Sequence, residues 1–222
     1  MRLRLLDLFS CAGGAGMGYH RAGFEVVGVD LVHQPRYPFE FHQADAFEFL
    51  AAHWQEFDVI HASPHCQPHS KTRAIHKNKT WDPTTKNNAV ADQVDHLRPL
   101  LQATGKPYVI ENVPGAPLIN PIRLRGNQFG LRVIRDRLFE VHPWILSSPL
   151  TPITGTTNSH RGMSTGGKYI TVAGHNFLVA EAREAMGIDW MNGKELAQAI
   201  PPAYTEWIGK QLLEVLQREV AA

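Results

Sequence analysis

Cysteine is scarce in this chain. Cys11 and Cys66 are the only two among 222 residues, too few for a disulfide framework, and an intracellular setting keeps such thiols reduced. An excess of one charge is also missing. Lys and Arg number 22 against 21 Asp and Glu, a formal net charge of +1, so any polyanion must be met by a local patch. No apolar run approaches the roughly 20 residues of a membrane-spanning helix. The opening Met1-Arg2-Leu3-Arg4-Leu5-Leu6-Asp7 turns acidic too soon for a secretory signal. There is no internal repeat. Together these absences point to a cytoplasmic chain without membrane contact, and we expect a monomer.

What is present is a core and a pattern. Hydrophobic residues make up 43% of the chain, enough for one main domain with a small insertion. Residues 3–9 read as a buried strand, followed by a glycine-rich turn and a helix over 17–22. A second apolar strand covers 25–29 and ends on Asp30. A helix over 46–53 and a strand over 57–62 follow, then a long polar loop over 63–88. Helical periodicity resumes over 89–103, and 108–111 is a short strand carrying Glu111 at its end. Residues 129–134 and 138–141 are expected to pair as a hairpin. The stretch 147–167 lacks periodicity and marks an insertion. A short helix over 180–186 precedes a final helix whose apolar face is Tyr204, Trp207, Ile208, Leu212, Val215 and Leu216. Strand, glycine turn, helix and acid-ended strand begin a doubly wound α/β sheet.

Two features carry chemistry. In Asp7-Leu8-Phe9-Ser10-Cys11-Ala12-Gly13-Gly14-Ala15-Gly16, the glycines Gly13, Gly14 and Gly16 would let backbone approach a ligand. The spacing is not the dinucleotide pattern, and no Walker lysine follows. Asp30 could hold ribose hydroxyls, and Phe9 offers a ring to an adenine or a sulfonium. The turn therefore suggests a nucleoside-like cofactor. Cys66 opens the long loop after a buried strand, where α/β folds place their crevice. It needs a partner to favour the thiolate, and arginines or His65 are candidates. A zinc reading of His61, His65, Cys66 and His69 lacks a second pair at zinc spacing, so no metal is expected. A cysteine protease would need a histidine base that nothing marks.

The motifs together resemble the DNA cytosine-5 methyltransferase family, in its order and over most of the chain. The glycine turn is similar to its first cofactor motif. Ala62-Ser63-Pro64-His65-Cys66-Gln67-Pro68-His69-Ser70 resembles its nucleophile motif, Gly-Ser-Pro-Pro-Cys-Gln-Pro-Phe-Ser. Tyr108-Val109-Ile110-Glu111-Asn112-Val113 resembles the Glu-Asn-Val motif, and Arg135-Asp136-Arg137-Leu138-Phe139 the Gln-x-Arg-x-Arg motif. Gln198-Ala199-Ile200-Pro201-Pro202 is similar to the closing Asn-Ala-Val-Pro-Pro motif.

The resemblance implies a Rossmann-like S-adenosylmethionine-dependent methyltransferase fold with a mixed, mostly parallel sheet. It divides the chain into a catalytic core over 1–142, a reduced target-recognition insertion over 143–177 and a C-terminal segment over 178–222 that returns to the core. It assigns Phe9, Gly13, Gly14, Gly16, Asp30 and Asp45 to S-adenosylmethionine, although Asp45 reads equally well as a helix N-cap. Cys66 becomes the nucleophile toward carbon 6 of a flipped cytosine, Glu111 the donor to ring nitrogen 3, and Arg135 and Arg137 the groups orienting the base oxygen. Pro64, Gln67, Ser70, Lys71, Arg73 and Asn112 fall to the substrate. Lys71, Arg73, Lys77, Lys79 and Lys86 form a basic loop suited to a phosphate backbone. The implied partner is DNA ahead of RNA, and no restriction partner can be inferred. Departures are His65 and His69 for proline and phenylalanine, Val133 for glutamine and Gln198 for asparagine. The small insertion implies short or relaxed sequence specificity. It also keeps open the same chemistry on RNA or a free nucleotide; an inactive binding module is the reading of another class.

Overall fold

The computed structural model describes residues 2–65, 93–147, 149–158, 167–175 and 177–221. Strand β1, Arg4–Leu8, is buried from its second residue onward, as suits a strand covered on both faces. Helix α1, Gly14–Ala22, follows directly and stops at Gly23, whose N–H reaches the carbonyls of Tyr19 and His20 at a φ of +123°. Strand β2 is Glu25–Asp30 and edge strand β3 is Glu40–Gln43. Helix α2, Ala46–His53, begins where Asp45 accepts the N–H groups of Phe47 and Glu48. Then come β4, Val59–Ala62, helix α3, Gln93–Thr104, and β5, Tyr108–Asn112.

A short strand β6, Ile122–Leu124, and β7, Arg137–His142, complete the sheet in the order β3-β2-β1-β4-β5-β7-β6. Strand β7 runs opposite to the other six strands of this sheet. The order reverses between β1 and β4, so their carboxyl ends open a crevice where α/β sheets bind ligands. Strands β8, Thr157–Asn158, and β9, Tyr169–Ile170, form a separate two-stranded pair. Helices α4, Val179–Met186, α5, Gly193–Gln198, and α6, Pro202–Ala221, follow. Among the described residues no helix is long and apolar enough to cross a membrane.

The core has two main layers. On one sheet face Leu5, Val59 and Val109 meet α1 and α6 through Tyr19, Tyr204, Ile208 and Leu212. On the other, Leu6, Leu8, Ile60 and Ile110 meet α2 and α3 through Leu50, Leu97 and Leu101. A smaller cluster packs Ala12, Val133 and Val172 against α4 and α5. Arg98 on α3 is clamped to buried Glu140 on β7 by two hydrogen bonds of 2.8 and 2.9 Å.

The mixed, mostly parallel sheet agrees with the fold class expected above. The expected hairpin does not form. Residues Gly126–Phe129 make a 3₁₀ turn closed by Gly130 at a φ of +72°, and Val133 bridges to Ile170. The antiparallel partners of β7 are β5 and β6 instead. Alternating Phe129, Leu131 and Val133 imitate a strand, but the flanking glycines curl the chain.

Candidate active site

The glycine turn is built on left-handed backbone. Phe9 and Cys11 take φ of +57° and +45°, and Gly13 +81°, conformations that cost non-glycine residues and need neighbours to hold them. Ser10 donates its backbone N–H to the Val29 carbonyl, and Cys11 donates its own to Asp30 Oδ2 at 2.9 Å. Asp30 Oδ1 accepts the Val32 N–H, also at 2.9 Å. Trp190 closes the far side, donating from Nε1 to the Ala12 carbonyl. Phe9 meets the Phe47 ring edge-on at 5.9 Å, which draws the start of α2 and Asp45 to the same rim. Asp45 serves as N-cap through Oδ1. Phe9, the glycines, Asp30 and Asp45 thus converge at the carboxyl ends of β1 and β2.

The glycines owe their identity to the protein itself. A Cβ on Gly14 would strike the backbone of Ile200, just ahead of α6, and one on Gly16 would lie 2.8 Å from both Asp7 Oδ2 and Tyr37 Oη. Close approach of a ligand, the reason expected from sequence, is not needed to explain these two positions.

A nucleoside-like cofactor does fit on other grounds. Ser10 Oγ is buried in the turn without a hydrogen-bond partner, which leaves a donor and acceptor for a bound group. Asp30 is held by two N–H groups and retains lone pairs for hydroxyls.

Beneath the turn lies a carboxyl that sequence reading left unassigned. Asp7 is fully buried. Tyr37 donates to its Oδ2 at 3.0 Å, while Oδ1 has no partner. Burial, aided by the charge of Asp30, pushes its pKa up to about 8. An acid inside the apolar run Leu5-Leu6-Asp7-Leu8 was the available signal.

The second half of the crevice is at β5. Glu111 is 5% exposed. Arg137 on β7 puts Nε 3.0 Å from Oε1, yet the N–H is not aligned with that oxygen, which keeps no true hydrogen bond. Burial raises the Glu111 pKa, opposed by the charges of Arg137 and Arg135 and by the Ser63 hydroxyl. Asn112 donates from Nδ2 to the Pro64 carbonyl at 3.1 Å. The His65 N–H donates to Gln93 Oε1 at the start of α3. Pro64, Glu111, Asn112 and Arg137 are therefore gathered at one point. Cys66, Gln67, Ser70, Lys71 and Arg73 lie outside the described residues.

Arg135 is engaged with backbone carbonyls. Its Nε, Nη1 and Nη2 donate to the carbonyls of Ala199, Val172 and Ala197 at 2.7, 2.6 and 2.8 Å. Its backbone has a φ of +36°, and Tyr204 donates to its carbonyl at 2.9 Å. The guanidinium fastens the C-terminal segment to the core, and its charge bears on Glu111. Tertiary position decided this, since Arg135 and Arg137 look alike in sequence. His61 is equally committed, with both ring nitrogens hydrogen-bonded to Tyr19 and Ser63, so it cannot serve the zinc alternative.

Comparison with known proteins now bears on this geometry. No family model matches the sequence, and no curated protein matches it. Solved structures do. A protein described as a DNA modification methyltransferase encoded within an E. coli prophage aligns at a TM-score of 0.60, with 16% identity over 97% of this chain and 99% of its own. S. pombe Dnmt2 methyltransferase gives 0.56, with 15% identity over 96% and 99%. Entamoeba histolytica methyltransferase EhMeth gives 0.61, with 13% identity over 97% and 99%. The chain shares the fold of these three proteins. At these identities the likeness concerns architecture, and the chemistry rests on the residues.

Proposed function

We propose that this chain is a DNA (cytosine-5) methyltransferase using S-adenosylmethionine. The observation that carries the reading is Glu111: a buried carboxyl of raised pKa, ion-paired with Arg137 through an oxygen that accepts no aligned hydrogen bond, and joined through Asn112 to Pro64. In sequence, Cys66 follows Pro64 by two residues.

A cytosine ring held there would meet a carboxyl that can carry a proton to ring nitrogen 3. Protonation drains electron density from carbon 6 and opens it to the Cys66 thiolate. Carbon 5 then becomes enamine-like. Bound S-adenosylmethionine would supply the electrophilic methyl group, with Asp30, Ser10, Phe9 and Asp45 as the residues to hold it. Water then takes the carbon 5 proton, the electron pair re-forms the double bond to carbon 6 as the thiolate leaves, and the nitrogen 3 proton returns to Glu111. Arg137 steadies Glu111 when it is charged and is placed to meet the base oxygen. Arg135 acts at a distance, by closing the C-terminal segment over the glycine turn.

The target must leave the duplex, at a cost of a few kcal/mol. The described parts of the 143–177 insertion hold only the two-residue strands β8 and β9, which supports short or relaxed specificity. A single strict site of six or more bases in methylation mapping would contradict that part.

The deciding test is covalent capture. Duplex DNA containing 5-fluorocytosine, with S-adenosylmethionine, should give a denaturation-resistant adduct, because fluorine replaces the departing proton. Cys66→Ser should give none. Running DNA, transfer RNA and dCMP in parallel with labelled cofactor identifies the substrate class. Cofactor binding without transfer to any of them would leave only a binding module.

A further inference from the structure

One sheet face carries a buried polar row. Asp7 on β1 and His61 on β4 are paired in register, and both lie among the apolar residues packed against α1. The next register pairs are His61 with Val109 and Ala62 with Ile110, which sets Ser63 beside Glu111. The side chains connect. Tyr19 Oη is 3.0 Å from His61 Nδ1, and His61 Nε2 is 2.8 Å from Ser63 Oγ. Tyr19 and His61 are both fully buried, and the register brings the Ser63 end of this pair of hydrogen bonds beside Glu111.

We propose that Tyr19, His61 and Ser63 form a one-way hydrogen-bond string that orients Glu111 and biases it toward its carboxylate form. This rests on the reading above and makes the three positioning residues for it.

The direction of the string follows from donor counting. A carboxylate can only accept, so the bond that we infer between Ser63 and Glu111 runs from the hydroxyl to the carboxylate. The lone pair on Ser63 Oγ then accepts from His61 Nε2–H. Neutral imidazole with a proton on Nε2 leaves Nδ1 as acceptor, and Tyr19 must donate to it. His61 stays neutral because burial drops its pKa to about 3, and burial also keeps the Tyr19 proton in place. Each bond polarises the next in a low-dielectric layer. The other groups acting on Glu111 are Arg137 and Arg135, which favour its charge, while Asp7 bears on Tyr19. Tyr19 stands on α1, so the helix that leaves the glycine turn also touches the string.

The test uses the full chain labelled with [5-13C]glutamate and 15N-histidine, with Glu111 assigned through Glu111→Gln. Nitrogen shifts should show His61 as the Nε2–H tautomer; the Nδ1–H form overturns the string. Ser63→Ala should weaken the acidity of Glu111 about tenfold. Tyr19→Phe, a near-isosteric change, should weaken it about threefold in the same direction. A Tyr19→Phe protein whose Glu111 titrates as in wild type overturns the proposal. Capture on 5-fluorocytosine is read separately. Wild type that titrates as expected yet captures no DNA sinks the methyltransferase reading alone. Wild type that captures DNA while Glu111 ignores both variants sinks the string alone.

Discussion

Asp7 and Glu111 are buried carboxyls on the same sheet face, one below the glycine turn and one at the end of β5. Burial raises both. Their surroundings then diverge. Asp7 has a phenol, a backbone N–H and the repelling charge of Asp30, with no cation among its determinants. Glu111 has two guanidiniums and a hydroxyl that pull it back. The first is therefore held mostly protonated near neutral pH, by burial in the absence of a cation. In the second, those opposing groups offset part of the effect of burial, which is what the general acid of the proposed function would need. Burial alone makes a carboxyl inert; a nearby positive charge makes it usable.

The comparison breaks most sharply at Glu111. Glu111→Gln should slow 5-fluorocytosine capture by about 10²–10⁴-fold while leaving cofactor affinity within about twofold; an unchanged capture rate would remove the general acid. Arg137→Met should make Glu111 resemble Asp7: its midpoint rises, so the alkaline loss of capture, where the general acid is deprotonated, should move to higher pH, while loss of the contact to the base oxygen cuts the rate by about tenfold. A pH–rate profile reads this directly.

Asp7 offers a stability test. Its pKa moves from an ordinary 3.8 to about 8 on folding. Between those values the folded chain holds a proton that the unfolded chain has released, so stability falls as pH rises through the window. Asp7→Asn removes the titration. Its melting temperature should match wild type near pH 5 and exceed it by about 5 °C at pH 8, with capture unaffected. A parallel decline in both proteins would show that Asp7 ionises normally.

The smallest effect is expected at Asp30. Asp30→Asn removes the like charge beside Asp7 and should lower the Asp7 midpoint. It should weaken cofactor binding by about tenfold in calorimetry, since hydrogen bonds to a charged group are lost. Glu111, governed by other neighbours, should titrate as before.

Much of this was legible along the chain. The apolar run before the glycine turn specified β1, and the acid closing β2 pointed to the crevice. The 46–53 periodicity and the Asp45 cap coincide with α2 as observed. Edge strand β3 escaped because its residues are mostly exposed and show no alternation. Helix α5 has six residues, too few for a period of 3.6 to declare itself. Strand β6 has three and is recognisable only through its pairing with β7.

The order of elements, the residue types at the strand ends and the spacing of the motifs are properties of the sequence alone, because local periodicity and turn chemistry act over a few residues. Tertiary structure decided the rest. It turned Arg135 toward carbonyls 37 to 64 positions away, set Tyr37 on Asp7 across 30 residues and brought Tyr19 to His61 across 42. Two like arginines part company, and two like carboxyls acquire different acidities, because desolvation and charge depend on which distant groups share the same buried space.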